Sequence, residues 1–464
     1  MSSNICFISN FYLTELYEEI ATQLISKKFN VYWICPNKNT YYELSRKWGA
    51  ENVLYIGMNS IINTPINELS HFGDLEDIAS NDLLIRDRIL KYQPKKGSHY
   101  LKTLKHVVFE FLKTNDIKAI FGELTWSHEV LINRICLKVS ECNTTYLNPH
   151  TLRIPQETFG FFLDEFQSNL SNHKFKESED YEMRKRYINA FIDKNDDLPT
   201  PDYLKLNDRI IKKENSFSAQ LLKLYRLLFK KTDLDDPDDP TTDNSKLRRF
   251  FNGSIRFINT LNYSLIKKDN ITAIAGKKYY LYPLHKQPEA SIDVIGKYYD
   301  DQLINIKNIA SQLKDDEFLV IKEHTNAIGD RSLFFYKKIS KFPRVMLIDE
   351  KIDTKLLIKS SSGVFTVSGT VALEASLMSK SNFCFSEVYF KSLKHCHLIS
   401  INDFNRNKIF SKKKESLKNE EFIELILESA CDGIISNPKS DIRCINPNNI
   451  KKLAKEFYAV IRSL

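Results

Sequence analysis

Short apolar runs alternate along the chain with stretches in which apolar residues recur every three or four positions. ICFIS begins at Ile5, a helical pattern covers Thr14 to Lys27, and NVYWIC ends at Cys35. Runs of β-branched and aromatic residues separated by helical patterns predict βαβ units with a parallel sheet. Further strand-like runs lie at 52–57, 119–123 and 144–148. The alternation predicts one Rossmann-like domain over residues 1–165.

A second series of the same kind begins near residue 278. Its strand-like runs are KYYLYPL, FLVIKEH, VMLID, GVFTV and NFCF, and helical patterns separate them. We expect a second Rossmann-like domain over residues 271–440, followed by a C-terminal helix within 441–464. The predicted fold is α/β, with two Rossmann-like domains that face each other across a cleft where a ligand binds.

The segment 166–270 between these series has no strand periodicity and is rich in charge. Residues 203–231 hold eight Lys or Arg and two acidic residues, whereas 245–268 hold six basic and no acidic residues. Residues 233–243 hold six Asp and two Pro, which predicts an exposed acidic loop. We interpret the segment as a helical insertion with two basic amphipathic helices. It either packs on the first domain or docks on an anionic membrane or lipid-linked acceptor.

The amino-acid composition excludes several classes of protein. The 464 residues are 42% hydrophobic and 27% charged, which is typical of globular chains and excludes wholesale disorder. The net charge of +8 is too small to indicate nucleic acid as a partner. No apolar run approaches the ~18–20 residues that span a bilayer, and the eight cysteines form no CxxC pair. We expect a reduced, cytoplasmic protein, either free or peripheral at the inner face of the membrane.

Polar residues of types that bind phosphate or catalyse its departure follow three strands of the second series. Cations beside a histidine suit a leaving phosphate, which the histidine protonates or hydrogen-bonds. Hydroxyls and a glycine at a helix start suit phosphate binding, although Ser or Thr there is also a common helix cap. The predicted donor-binding residues are His285, Gln287, Glu289, Lys322, Arg331, Ser368, Gly369, Thr370 and Glu374, and His324 is predicted to be catalytic.

Carboxylates follow a strand in the first series. FGELTWSHE presents Glu123 and, one turn later, Glu129, and both are predicted to be catalytic as base or nucleophile. A carboxylate at the start of a helix is the competing interpretation. NPHTLRIP offers His150 and Arg153 for binding the acceptor. Neither GxGxxG nor a Walker A sequence occurs, and no DxD sequence ends a strand, so we expect no cofactor and no metal.

Together these motifs resemble the capsule polysaccharide biosynthesis proteins, whose GT-B-type glycosyltransferase domains include bacterial transferases of 3-deoxy-manno-octulosonic acid (Kdo). The resemblance rests on YPLHKQPEAS, Gln302, VIKEH, the Gly329-x-Arg331 pair, SGTVALEA, Glu123, Glu129, Arg153 and Pro155. It implies a CMP-activated sugar, with His324 as the motif histidine and Ser368 to Thr370 as the phosphate loop. Thr325 stands where that motif has proline.

The predicted function is a metal-independent glycosyltransferase. It moves a sugar from a nucleotide-activated donor, such as a CMP-linked acidic sugar, to a surface polysaccharide or its lipid-linked precursor. Two alternatives remain open at this point. One is a nucleotide-sugar epimerase or hydrolase of the same fold, and the other is a non-catalytic partner in polysaccharide assembly or export.

Overall fold

The computed structural model describes residues 3–65, 73–152, 157–172, 182–183, 185–186, 236–400, 405–411 and 416–464. The predicted basic helix at 203–231 and the candidate residue Arg153 lie outside these ranges. Within them, no helix combines the length and the apolar character that crossing a bilayer requires.

The first domain is built on a sheet whose order is β6-β5-β4-β1-β2-β3. Strands β1 to β5 are parallel and β6 runs antiparallel to β5. The buried runs of these strands place the sheet in the centre of the domain. The strands are β1 (Asn4–Ile8), β2 (Asn30–Cys35), β3 (Val53–Tyr55), β4 (Ile117–Phe121), β5 (Thr145–Thr151) and β6 (Thr158–Phe162).

Helices connect the parallel strands and cover both faces of this sheet. Helix α1 shows why, since its Leu16, Ile20 and Leu24 recur at helical spacing and are fully buried. The helices are α1 (Leu13–Ile25), α2 (Lys38–Trp48), α3 (Met58–Ile62), α4 (Gly73–Glu76), α5 (Asn81–Arg86), α6 (Pro94–Thr114) and α7 (Ser127–Lys138).

The acidic residues from 236 onward pack against the first domain, and the prediction of an exposed, solvated loop is wrong for them. Asp236 and Asp239 are 4% and 3% exposed. Asp236 Oδ2 accepts the backbone N–H of Lys38 at 2.6 Å, and Asp238 accepts that of Asn59. Carboxylates are stable there because the first N–H groups of α2 and α3 lack helical partners. The acidic run therefore caps two helices.

Two helices lead from this turn to the second domain. They are α8 (Lys246–Ser264) and α9 (Ile271–Ile274). Helix α8 falls in the predicted basic stretch 245–268. It packs on the second domain, where Asn259 donates to the Gly329 carbonyl at 3.2 Å and Tyr263 OH donates to Glu350 at 2.9 Å.

The second domain has a six-stranded parallel sheet in the order β12-β11-β10-β7-β8-β9. Its strands are β7 (Lys278–Pro283), β8 (Glu317–Lys322), β9 (Val345–Ile348), β10 (Gly363–Thr366), β11 (Asn382–Cys384) and β12 (Cys396–Leu398). Its helices are α10 (Ala290–Asp293), α11 (Gln302–Ala310), α12 (Leu333–Ile339), α13 (Thr354–Ser360), α14 (Thr370–Leu377), α15 (Arg406–Ser411) and α16 (Asn419–Leu427).

The chain then returns to the first domain. Strand β13 (Cys431–Asp432) pairs antiparallel with β6, within the range assigned from the sequence to the second domain. Helix α17 (Pro447–Ser463) buries Phe457 against Phe121, with ring centroids 4.6 Å apart. The C-terminal helix thus completes the core of the first domain. The predicted α/β fold of two Rossmann-like domains is confirmed.

Candidate functional site

Each sheet reverses its strand order once, and the predicted site residues gather at these two places. Strands β1 and β4 are neighbours in the first sheet, as are β7 and β10 in the second. Ligands of open α/β sheets bind outside the carboxyl ends of the strands at such a switch point. Glu123 follows β4, His285 follows β7 and Ser368 follows β10.

Glu123 and Glu129 share one amide donor at the first switch point. Asn10, which follows β1, places Nδ2 2.7 Å from Glu123 Oε2 and 3.3 Å from Glu129 Oε1. The buried Glu129 also accepts the backbone N–H groups of Thr125 and Trp126 at 2.9 and 3.0 Å. Glu129 thereby caps the start of α7, whereas the half-buried Glu123 faces a cavity.

Burial controls the ionisation of this carboxyl pair. Burial, and after it the neighbouring Glu123 charge, raise the pKa of Glu129 to about 8. Burial also raises the pKa of Glu123, while the Arg88 guanidinium acts in the opposite direction. Both shifts favour the protonated form, and interacting carboxyl groups titrate as a pair. Glu123, which faces the cavity, is the member of the pair that is placed to act as a base.

A cavity of about 330 Å³ lies beside Glu123. Its volume falls within the range of roughly 300–1,000 Å³ that is typical of small-molecule sites. His150, at the end of β5, and Trp126 also line it, together with residues 435–437 from the returning chain. The structure therefore brings the predicted acceptor residue His150 and the predicted catalytic residue Glu123 to one cavity.

His285 supports the turn after β10 in the second domain. Its Nε2 lies 3.0 Å from Thr366 Oγ1 and accepts the Val367 N–H at 3.3 Å. Thr366 Oγ1 also accepts the Gly369 N–H at 3.3 Å. Burial lowers the pKa of His285 to about 3, so its ring is neutral across the physiological range. Its described contacts place it beneath the predicted phosphate loop.

Arg331 connects the ends of β7 and β8. It donates to Glu323 Oε1 at 2.6 Å and to the carbonyl of His285. Glu323 is fully buried and also accepts the Tyr336 hydroxyl at 2.5 Å. Burial raises the pKa of Glu323, and Arg331 opposes that shift. These described bonds are internal, so they make Arg331 a residue that shapes the loops.

His324 and Lys322 lie at the end of β8. The Nδ1 atom of His324 accepts the Asn326 N–H at 3.2 Å, so the neutral ring carries its proton on Nε2. Burial, together with the charges of Lys286, Lys322 and Arg331, lowers the pKa of His324, while Glu289 opposes them. A neutral donor beside cations is suited to a phosphate oxygen.

Gln287 connects the end of β7 to α10. Its Nε2 donates to Asp293 Oδ1 at 3.2 Å, and its Oε1 accepts the Gln302 side chain at 3.4 Å. Gln302 also bonds the backbone N–H of His285 at 2.8 Å. The predicted residues around β7 therefore form one hydrogen-bonded group.

The remaining predicted donor-binding residues lie near α10 and the start of α14. Ser368 donates to the carbonyl of Ser291, whose own hydroxyl bonds Glu289 at 2.8 Å. Thr370 is the first residue of α14, and Glu374 lies one turn further on. Within the described ranges, no group of three or more His, Cys, Asp or Glu side chains is arranged to hold a metal ion.

Arg88 connects the two switch points, and the sequence analysis did not single it out. Its guanidinium lies over the Trp126 ring at 5.2 Å, and its Nε is 3.9 Å from Asp293 Oδ2 in the second domain. Arg88 lies in the turn that follows α5, next to the buried Asp87, whose carboxylate accepts the Ser127 hydroxyl at 2.5 Å. An arginine in a short turn between helices carries no sequence pattern that distinguishes it.

Comparisons with known proteins find only solved structures of low similarity. No family model matches the sequence, and no curated protein does. Thermosulfurimonas dismutans KpsC, a beta Kdo 2,7 transferase, is similar in structure at 10% identity and a TM-score of 0.36, covering 76% of this chain and 88% of its own. A Methanocaldococcus jannaschii UDP-GlcNAc 2-epimerase matches at 10% identity and a TM-score of 0.28, covering 92% and 98%. Anabaena Alr3699/HepE, solved with UDP and glucose, matches at 11% and 0.26, covering 100% of both chains.

Proposed function

We propose that this protein is a metal-independent glycosyltransferase of the GT-B type. The observation that carries the proposal is the placement of complementary chemistry at two switch points. A carboxyl pair that shares one amide donor lies beside a cavity at the first, and a histidine with cations and a hydroxyl-rich helix start lies at the second. Transfer between a phosphate-linked donor and a hydroxyl acceptor needs both sets.

The proposed reaction assigns one role to each domain. Glu123 takes the proton of the acceptor hydroxyl as that oxygen bonds to the anomeric carbon of the donor. The bond from the anomeric carbon to phosphate breaks, and its electron pair stays on the phosphate oxygen. His324 Nε2–H and the Lys322 charge stabilise that oxygen, while the N–H groups and hydroxyls of Ser368 to Thr370 hold the phosphate.

A CMP-linked acidic sugar such as Kdo is the proposed donor, and a capsular or other surface saccharide, free or lipid-linked, is the proposed acceptor. The motifs at His324 and at Ser368 to Thr370 support the donor class through their resemblance to Kdo transferases. We propose no nucleic acid partner and no cofactor.

A nucleotide-sugar epimerase or hydrolase is the second candidate, and one observation favours it. Glu123 and Glu129 accept from the same amide of Asn10, and two neighbouring carboxyl groups suit removal and return of a proton on one bound sugar. Such an enzyme would turn over its donor without an acceptor.

Attachment to the inner face of a membrane is part of the proposal, and α8 supports it. Six large apolar residues form one stripe of this helix and its end, and each is 49% to 83% exposed. We name this surface the α8 stripe, and it consists of Leu247, Phe251, Ile255, Ile258, Leu261 and Leu265. The stretch 245–268 contains no acidic residue, but Arg248, Arg256 and Lys268 pair with Asp243, Asp330 and Glu350. The exposed apolar stripe therefore supports lipid binding more than the charge does.

A donor panel tests the proposed function. The full chain is incubated with CMP-, UDP- and GDP-linked sugars, and nucleotide release is measured with and without a lipid-linked saccharide. Release that depends on the acceptor supports the transferase. Release without it indicates a hydrolase, and a changed sugar without release indicates an epimerase. Unchanged donors throughout would contradict an enzyme and favour an assembly partner.

A further inference from the structure

The interface between the two domains contains two buried polar atoms that face each other without a hydrogen bond. Arg88 Nε, from the first domain, and Asp293 Oδ2, at the end of α10 in the second, both lack a hydrogen-bond partner among the described residues. They are 3.9 Å apart, which is too far for a direct N–H···O bond. A buried donor and a buried acceptor without hydrogen bonds each cost free energy, so a group that bonds both atoms would stabilise this arrangement.

The backbone beside Arg88 and the carboxylate of Asp293 are held in place. Asp87 Oδ1, next to Arg88, accepts the N–H groups of Ile89 and Leu90 at 2.8 Å each, which fixes the backbone there. The other carboxylate oxygen of Asp293, Oδ1, accepts the Gln287 amide at 3.2 Å. The two unpaired atoms are therefore positioned by neighbours on both domains.

The space around these atoms limits what fits between them. Arg88 and Asp293 line a small cavity of about 30 Å³. A single oxygen atom needs roughly 10–15 Å³ by this kind of measure, so the space holds a hydroxyl or a water but no sugar ring. Arg88 and Trp126 also line the cavity of about 330 Å³ that contains Glu123. The small space is thus adjacent to the larger one through the same two residues.

The chemistry of the two atoms selects the ligand group. An anion would bond Arg88 but would be repelled by Asp293, and a cation would meet the opposite conflict. A hydroxyl accepts one hydrogen bond and donates another, so it satisfies Arg88 Nε–H and Asp293 Oδ2 together.

We propose that Arg88 and Asp293 form a clamp across the domain interface that binds one hydroxyl of a saccharide seated in the cavity beside Glu123. This inference rests on the proposed function for the presence of a saccharide, and it adds two residues that determine which saccharide binds. A sugar that lacks the hydroxyl leaves both atoms unpaired, which is a strong basis for discrimination.

Binding is tested with free monosaccharides, so that the result does not depend on turnover. Saturation-transfer NMR measures the affinity of the full chain for a panel of hexoses, N-acetylhexosamines and Kdo, and for the monodeoxy analogues of each sugar that binds. The variants are Arg88→Met and Asp293→Leu. The matched control is Asp300→Leu, because Asp300 lies 3.9 Å from Arg86 at the same interface but lines neither cavity.

The clamp predicts that at least one sugar binds the wild type, and that its affinity falls at least tenfold in both clamp variants and less than twofold in Asp300→Leu. One monodeoxy analogue should bind the wild type as weakly as the parent sugar binds Asp293→Leu. Equal losses in Asp293→Leu and Asp300→Leu would assign Asp293 to packing only and overturn the clamp. Absence of sugar binding, or binding that the clamp variants do not weaken, would also overturn it. If the wild type turns over a donor in the panel above but the clamp variants bind sugar as the wild type does, the proposed transferase function is supported and the clamp is refuted.

Discussion

Gly369 packs so closely on His285 that a Cβ at position 369 would lie 3.1 Å from His285 Cε1. The same Cβ would lie 3.0 Å from Thr366 Oγ1, the atom that bonds both the histidine ring and the Gly369 N–H. Glycine is therefore required by the close approach of the loop to the buried ring, since its backbone conformation is one that any residue adopts.

We expect Gly369→Ala to weaken nucleotide binding. The loop must move by a few tenths of an ångström, and overpacking of this kind costs about 1–3 kcal/mol, which is a loss of affinity of roughly 5-fold to 150-fold if it falls on the bound loop. Isothermal titration with CMP and UDP measures it. Gly73→Ala is the control, because its Cβ would meet nothing within 4 Å. Equal affinities of wild type and Gly369→Ala would remove this loop from the phosphate site.

The raised pKa of Glu129 predicts that stability falls as pH rises. Its folded pKa of about 8 lies above the ordinary 4.5, so between these values the unfolded chain has released a proton that the folded chain keeps. The free energy of unfolding should fall by up to about 1.4 kcal/mol per pH unit from this group. Glu129→Gln keeps an acceptor for the α7 N–H groups but does not titrate. Urea unfolding measures the free energy of unfolding between pH 5 and pH 8. This free energy should fall less steeply with pH in the variant than in the wild type, and equal slopes would refute the raised pKa of Glu129.

The acidic turn predicts a loss of stability when its buried carboxylate Asp239 is removed. Asp239 Oδ2 accepts the Asn37 amide at 2.9 Å, and Oδ1 accepts the Thr241 N–H and hydroxyl at 2.8 and 2.6 Å. Because these donors are buried, Asp239→Ala should lower the free energy of unfolding by about 1–3 kcal/mol. Glu387→Ala, at an exposed surface pair, should change it by less than about 0.5 kcal/mol. Urea unfolding compares the two, and similar small losses would mean that the turn is solvated after all.

The α8 stripe predicts binding to lipid. Full-length protein should float with vesicles that contain anionic lipid and release as salt rises, because both apolar insertion and charge contribute. The triple variant Phe251→Ser, Ile255→Asn, Ile258→Asn should lose flotation. Phe334→Ser, which removes an aromatic residue that is 75% exposed on α12, should keep it. Equal flotation of both variants, or none by the wild type, would leave the stripe as a surface for another partner.

The alternation of strands and helices predicted the architecture because each buried parallel strand is a dense apolar run between helical patterns. Strands β6, β12 and β13 were not predicted. Strands β12 and β13 have only three and two residues, and neither lies in a longer apolar run such as those that revealed the three-residue strands β3 and β11. The return of the chain to the first domain therefore could not be seen in the sequence.

The site was predictable in position but less so in role. His285, His324 and Ser368 follow apolar strands, and the carboxyl ends of parallel strands meet at one edge. His285 is buried, and it supports the loop after β10 from beneath. A sequence does not show which of the side chains at the strand ends is the buried one. Arg88 lies beside Asp293 in the fold, although the two residues are far apart in the sequence. Asp236 and Asp239 were predicted to be solvated because their partners also lie far away in the sequence. An acidic run is interpreted as exposed unless its contacts in the fold are known.

The central claim is that Glu123 removes a proton from the acceptor during transfer, and single-turnover kinetics on Glu123→Gln tests it most directly. With the donor that the panel identifies and with saturating acceptor, we expect the rate of sugar transfer to fall by about 10²–10⁴, because a positioned general base contributes about that much. Nucleotide affinity should stay within about twofold, since the phosphate loop lies on the other domain. Transfer by Glu123→Gln at close to the wild-type rate would contradict the account.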